Sequence, residues 1–450
     1  MREALRAHRI VAVSVFIAIL AIGISPGPAL ANQKGWVVQY GTPIRDAAGG
    51  VAVDGHDVYI AGTTDGAFPG EINAGAGGDV YIRKYNSQGQ LQWTDQFGTP
   101  AVDNLGAGNV SARRHRVVVG GTVRGKLPGQ AEFGLTDGFL RAYDHHGSVR
   151  WTYQFGTPGD DIVRSVAIAR DGSVVAVGHT TGQLGSQPNA GLTDAFVMLM
   201  NRDGTLRWLR QFGTTGVDEA IGVAVTEHAI FVSGTSNGTF PGNAPARDFD
   251  GFVARLTLDG DFEWVSQFGT PAFDAFWKVG VAGSMIFVQG HTMGTFPGET
   301  HLGGAWDGVV AALGSEGQLL WARHFGSAGC DNMVGLAVDR EGAVVVGNIR
   351  ATLSANLACG GTSSDALAQK FDVYGNVLWT LEIATPVFDN LQGVALKGKD
   401  VYLAGITDGD VGGPNAGIRD AFLIRFRPQP EHGGQHADDD DCDGEDQDDE

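Results

Sequence analysis

A tryptophan returns seven times along this chain at almost constant spacing. It stands at Trp36, Trp93, Trp151, Trp208, Trp264, Trp321 and Trp379, in steps of 57, 58, 57, 56, 57 and 58 residues. A fixed period of that order marks a repeat architecture, in which each copy is one supersecondary unit that buries its core only by stacking on its neighbours. The surrounding text recurs as well. Four residues after each Trp comes Phe-Gly-Thr or a near relative, from Tyr40-Gly41-Thr42 to Phe325-Gly326-Ser327, decayed in the seventh copy to Ile383-Ala384-Thr385. An Asp follows at 46, 103, 161, 218, 274, 331 and 389, then a strand of small residues and a β-branched strand such as Val58-Tyr59-Ile60. A Gly- and Pro-rich loop leads to a second Asp at 79, 137, 194, 250, 307, 365 and 420, a third strand, a Gly turn and the Trp strand.

Four short antiparallel strands per copy, with turn signals every ~8–12 residues, predict an all-β sheet unit, and seven such units predict a seven-bladed β-propeller. The 69 glycines, spread through the copies, suit many short strands joined by tight turns. Small first strands such as Gly222-Val223-Ala224 and Gly335-Leu336-Ala337 suit the crowded axis of a ring. An open solenoid is the competing architecture. The last copy stops at Phe426 without its Trp strand, while an orphan Trp strand, Trp36-Val37-Val38-Gln39, opens the repeat region. That strand is expected to complete the seventh blade and remove both sheet edges.

The W-x3-F-G-T-P…D…G-x-T-x-G-x-F-P-G…G-x-D-A-F-V text resembles the bacterial secreted β-propeller repeat, the SBBP repeat, over residues 36–427. The resemblance implies a propeller on an exported bacterial protein and carries no assigned activity. Asp203-Gly204…Trp208 and Asp144…Gly147…Trp151 also have a passing likeness to the text that docks one blade on the next in quinone-cofactor dehydrogenases. Plain core packing of the seven indoles accounts for the same residues: burying ~200 Å² at ~25 cal/mol/Å² is worth roughly 5 kcal/mol gross.

The start of the chain reads as an export signal over 1–31. Arg2, Arg6 and Arg9 precede an apolar run from Ile10 to Ile24, and Ala29-Leu30-Ala31 supplies the small-x-small cleavage site. The run is shorter than the roughly 20 residues of a membrane span. No membrane insertion is therefore expected after cleavage, and the protein is placed outside the cytoplasm: secreted, at the cell surface or in the periplasm. The formal charge is −20, but residues 438–450 hold ten acids and no base. With the body only mildly acidic, nucleic acid is not an expected partner, since binding it takes clustered Lys and Arg.

After the propeller at 32–427, residues 428–437 read as a linker and 438–450 as a disordered acidic tail. Asp439, Asp441, Asp443, Gly444 and Glu450 resemble the ligand positions of an EF-hand loop in that one segment, though Asp446 stands where an apolar residue is normal. No cofactor is expected: the tail reads as a polyanion that attracts cations loosely, with a defined calcium site as the alternative. Cys330 and Cys359 fall in two loops of blade six predicted to share a face and are expected to form a disulfide; Cys442 is left over.

Fourteen aspartates in two rings suggest either metal sites or carboxylates that accept backbone N–H bonds in local turns. Regular recurrence favours the turns, because a local device serves every blade. Binding sites arise where copies differ. Beside the axis, Arg164, the pair Trp277-Lys278 and Gln392 stand where other copies hold Gly, Ala or an aliphatic residue. Blade five also has His291 in place of Thr and Trp306 in its long loop, and Glu219 follows the Asp of blade four. Arg164, Glu219, Trp277, Lys278 and His291 are the expected frame of a polar ligand pocket at the channel mouth; tolerated drift is the competing account. No Ser-His-Asp set, histidine cluster or close carboxylate pair is apparent, so no catalytic residue is nominated. The favoured function is a monomeric, exported, non-enzymatic scaffold binding protein or carbohydrate through its loop-rich face. The alternatives are a polysaccharide lyase or hydrolase at the channel mouth, and a calcium-dependent adhesion protein.

Overall fold

Runs such as Val58-Tyr59-Ile60 and Val80-Tyr81-Ile82 are buried side chain after side chain, as in strands covered on both faces. In the computed structural model, residues 35–428 are described apart from 76, 106–108, 245 and 352–362. The expected signal peptide, acidic tail and calcium-loop residues, all of the linker beyond Pro428, and Cys359 lie outside the described residues. Every element among the described residues is a strand. The strands form seven antiparallel sheets, six of them ordered along the chain from an inner to an outer strand. Blade one, for example, is Asp46–Asp54, Asp57–Thr64, Asp79–Tyr85 and Leu91–Phe97.

The ring closes as expected. In blade seven (Asp389–Lys397, Asp400–Thr407, Asp420–Phe426), the outer strand is Trp36–Tyr40, paired from Trp36 opposite Arg425 to Tyr40 opposite Ala421. The hydrophobic core is divided into seven clusters, each shared by two neighbouring blades. One joins Val175, Val177 and Val197 of blade three to Ile230, Val232 and Phe252 of blade four. Another joins Tyr402, Ala404 and Leu423 of blade seven to Val51, Val58 and Ile60 of blade one. A blade cannot bury its faces alone, so the ring is the folding unit.

The small residues near the axis have a steric cause. A Cβ added to Gly222 would lie 2.8 Å from both the Lys278 Cα and the Trp277 carbonyl oxygen of the next blade. Each inner strand whose register is described from end to end also carries a one-residue bulge three residues after its first-ring Asp. The residue skipped is Gly49, Arg164, Ile221, Trp277, Val334 or Gln392. Bulges re-aim side chains and recur next to functional sites.

The seven repeat tryptophans are half-buried rather than sunk in the core. The indole N–H groups of Trp36, Trp93, Trp151, Trp208 and Trp321 donate to the carbonyls of Ser87, His145, Arg202, Leu258 and Val373, each in the third-to-fourth-strand turn of the next blade, at 2.9–3.1 Å. The glycine of that turn lies on the ring: Gly204 has φ +88°, and a Cβ there would stand 2.6 Å from Trp151. Core packing alone was therefore too simple a reading. An indole is apolar with one polar handle, and here the handle docks one blade on the next.

Candidate functional site

The ring has two faces. The turn face holds the tight hairpins. The loop face holds the long second-to-third-strand loops and the connections between blades, and both Asp rings sit there. In the first ring, the Thr or Ser of the Phe-Gly-Thr text donates its backbone N–H to the Asp in every blade. Asp161 accepts Thr157 N at 2.5 Å, Thr157 Oγ1 at 2.9 Å and Thr180 Oγ1 at 2.6 Å. In the second ring the acceptor serves the long loop: Ala190 N donates to Asp194 at 2.8 Å and Gln211 Nε2 at 2.9 Å. The local-turn reading describes this geometry. Among the described residues, no group of three or more His, Cys, Asp or Glu is placed to hold a metal.

Close carboxylate pairs do form, contrary to expectation. Asp79 and Asp103 flank Gly98 so closely that an added Cβ would meet an oxygen of each at 2.5 Å. Burial pushes Asp103 up to about 7, and Asp250 and Asp331 up to about 6. The glutamine of these latches, at 39, 96, 154, 211 and 267, was missed in the sequence, although it precedes the Phe or Tyr of each of those copies. Its carbonyl orders the loop as well, as in Phe240 N to Gln267 Oε1 at 2.9 Å.

At the mouth of the axis, the expected site residues fall into two adjoining groups. Arg164 Nη2 lies 3.6 Å from Glu219 Oε2 across the seam of blades three and four. His179, unforeseen, is buried on the neighbouring strand with Nδ1 3.9 Å from the same oxygen. Burial first, and Arg164 second, push its imidazole down to about 3, so that contact is not an ion pair. Lys278 belongs to this group: burial first and the Arg164 charge second hold its amine down at about 8. Trp277 and His291 form the second group. Trp277 Nε1 donates to His291 Nδ1 at 2.8 Å, which requires that nitrogen to be bare and the proton to sit on Nε2. His291 packs beneath Trp306 and Phe273, at ring separations of 4.4 and 5.8 Å, and burial pushes it down to about 3. Phe249 extends this aromatic wall, 5.1 Å from Phe273. Gln392 occupies the bulge of blade seven on the same rim. The mouth thus combines two cations, one carboxylate and an aromatic wall, a set suited to holding a polar ligand.

A pH test follows from His291. Its folded-state value lies below the ordinary 6.5, so the unfolded chain binds more protons between about pH 3 and 6.5, and stability falls as the medium is acidified through that window. His291→Gln removes this term. Between pH 7 and pH 5 the wild type should lose on the order of 2 kcal/mol relative to the variant. Denaturant unfolding at both pH values checks it; parallel losses would contradict it. Asp103, Asp250 and Asp331 act oppositely in both proteins, since raised carboxyls contribute stability below about pH 4 that is lost as pH rises to 6–7.

Fold and mouth together define a seven-bladed β-propeller with a polar, aromatic-flanked axial opening. No family model matches the chain. Over 178 residues, 36% of its length, the chain is 26% identical to the regulatory protein FlaEY of Caulobacter vibrioides, of which the match spans 19%. Among solved structures it is similar to the β-propeller domain of the Trilobed protease from Pyrococcus furiosus (8% identity, TM-score 0.45, 85% of this chain and 95% of that one). It is also similar to the phage phi92 endosialidase (10% identity, TM-score 0.46, 91% and 72%) and to the Neurospora crassa Pan2 WD40 domain (10%, 0.37, 87% and 94%).

Proposed function

We propose that this chain is an exported, non-enzymatic interaction scaffold of the SBBP-repeat type that binds a protein through its loop face. The observation that carries the reading is an arc of exposed apolar side chains on that face. It runs over consecutive blades: Ile418 and Ile44 at the seam of blades seven and one, Ile72 and Val102 on blade one, Leu135 on blade two and Leu192 on blade three. Ile72 is 82% exposed and Leu192 70%. Leu135, Leu192 and Ile418 occupy one repeat position, two before the second-ring Asp. Each backbone N–H there is held by the next interblade connection, Leu192 N to Gly216 O at 2.9 Å and Ile418 N to Ile44 O at 2.7 Å. Apolar side chains presented on a fixed backbone suit a protein partner more than a carbohydrate. Export, and a Cys330–Cys359 disulfide, belong to the same proposal; Cys330 is buried at the start of its strand, as one half of a structural bridge would be.

A photo-crosslinking residue placed at Leu192 in the producing cells should give a discrete protein adduct that Leu135→Asp abolishes without lowering the melting temperature. The same residue at Tyr374, 74% exposed on the turn face, is the control. No adduct at 192, or the same adducts at both positions, would contradict the reading. A second reading, a lyase or hydrolase at the channel mouth, is favoured by one observation: a buried lysine held near neutrality is a common general base. It requires turnover on an acidic polysaccharide that Lys278→Ala removes.

A further inference from the structure

We propose a second binding site, on the turn face between blades two and three, that takes an acidic saccharide. Arg116, Arg150 and Arg202 engage its anionic group, and Trp151, Asp171 and Asp203 its ring and hydroxyls. The site is independent of the loop face, and it is visible as a difference between copies of the repeat.

In blades seven, one and four a cation on the third strand stands opposite the repeat Trp. Arg425 faces Trp36, Lys84 faces Trp93 and Arg255 faces Trp264. Each donates to the next blade's turn carbonyl: Arg425 to Ser87 at 3.4 Å, Lys84 to His145 at 2.8 Å, Arg255 to Ser315 at 3.5 Å. Each also has its charge met by an acid, Asp400 at 2.7 Å, Asp57 at 2.7 Å and Glu263 at 2.6 Å. Blades three and five place Leu199 and Ala312 opposite their tryptophans, and blade two differs again. Opposite Trp151 stands Ala142, and the cation comes from the adjacent strand: Arg116 donates to the Arg202 carbonyl. Neither Arg116 nor Arg202 forms an ion pair with a carboxylate among the described residues, and Arg150 comes only within 3.7 Å of Asp144. Three guanidiniums converge in a chain of net charge −20. Burial first, then Arg202 and Arg150, lower the Arg116 pKa, so the cluster repels itself.

The backbone departs as well. The first-to-second-strand hairpins of blades one, five and seven turn on Gly55, Gly283 and Gly398, at positive φ. Blade two uses Arg114 and His115 there, at φ +51° and +61°. Left-handed conformations at non-glycine residues persist where the surroundings require them, and they cluster at ligand sites. The turn holds Arg116 at the edge of a cleft of about 620 Å³, which is within the range of small-ligand sites.

The cleft lining selects among anions. A free phosphate or sulfate needs only the guanidiniums, and Asp171 and Asp203 would repel it. A saccharide bearing a carboxylate uses all of them: guanidinium forks match the carboxylate, aspartate oxygens accept from hydroxyls, and an indole face packs on sugar C–H groups. Asp171 and Asp203 each use Oδ1 within their own turn, for Ser173 and Thr205. The Trp151 N–H is taken by the Arg202 carbonyl and Gly204 lies against part of the ring, so the indole offers the cleft only the remainder of its ring.

Calorimetric titration of the full chain with trigalacturonate tests this. Saturable binding is expected, weakened about tenfold in Arg150→Gln and in Arg202→Gln, each losing a charge-assisted contact from a solvent-exposed position. Leu192→Asp on the loop face should leave it unchanged, which separates this site from the scaffold reading. Three results would overturn the proposal: no binding, equal binding of neutral maltotriose, or binding that survives both arginine substitutions. Inorganic sulfate or a short single-stranded oligonucleotide binding as tightly as trigalacturonate would overturn the saccharide class.

Discussion

Deleting Trp36–Tyr40 is expected to abolish the cooperatively folded monomer. The strand pairs with Asp420–Phe426 along its whole length and contributes Trp36, Val38 and Tyr40 to the core shared by blades seven and one. Trp36 also docks on the Ser87 carbonyl of blade one, and Gln39 Nε2 donates to Asp420 at 3.0 Å. Truncating one large core aromatic costs about 3–5 kcal/mol. Losing two, with a strand of ladder bonds, approaches the whole stability of a typical domain, roughly 5–15 kcal/mol. The open edge of blade seven would then pair with other chains. The expected result is loss of the thermal transition and elution as oligomers. Adding a peptide of residues 35–41 in trans should restore part of the transition, because strand addition supplies the same bonds. A deleted chain that melts like the wild type would mean the ring does not depend on this closure.

The features that were legible before the structure are those every blade repeats. The Trp period fixed the copy number, the orphan strand fixed the closure, and the small first strands matched the close approach at Gly222. Three things were not legible, each for a physical reason. The place of the indoles escaped because burial and interblade docking select the same residue. The latch glutamines sit inside strands where alternation makes polar residues unremarked, and only their carbonyl and amide bonds show that they hold the long loops. The arginine cleft could not be read because Arg116, Arg150 and Arg202 belong to three elements far apart in the chain and meet only across a seam. At the channel mouth, reasoning from differences between copies named Arg164, Glu219 and Lys278, and Arg164 lies 3.6 Å from Glu219 in the fold. It missed His179, which the pairing of Ile162 with His179 carries to the same rim.

Asp161→Ala should lower stability by about 3–5 kcal/mol, because it leaves two hydroxyls and a backbone N–H without their acceptor in a buried place. Asp161 is fully buried, so water cannot replace the lost oxygens at no cost. Asp161→Asn keeps one acceptor and should lose less. Burial holds the Asp161 carboxyl above the ordinary carboxylate range, and its two Thr157 bonds and the Thr180 bond only partly offset this. A raised carboxyl contributes most below about pH 4 and less as pH rises. The neutral asparagine should therefore compare better with the wild type at pH 7 than at pH 4. The same pair of variants separates the two meanings of the Asp rings. If the aspartates are structural acceptors, melting in EDTA and in millimolar calcium should show the same loss for Asp161→Ala. If the ring held calcium, the wild type would gain about 2.7 kcal/mol at a hundredfold excess over Kd. The alanine variant would forfeit part of that gain, and the turn assignment would fall with it.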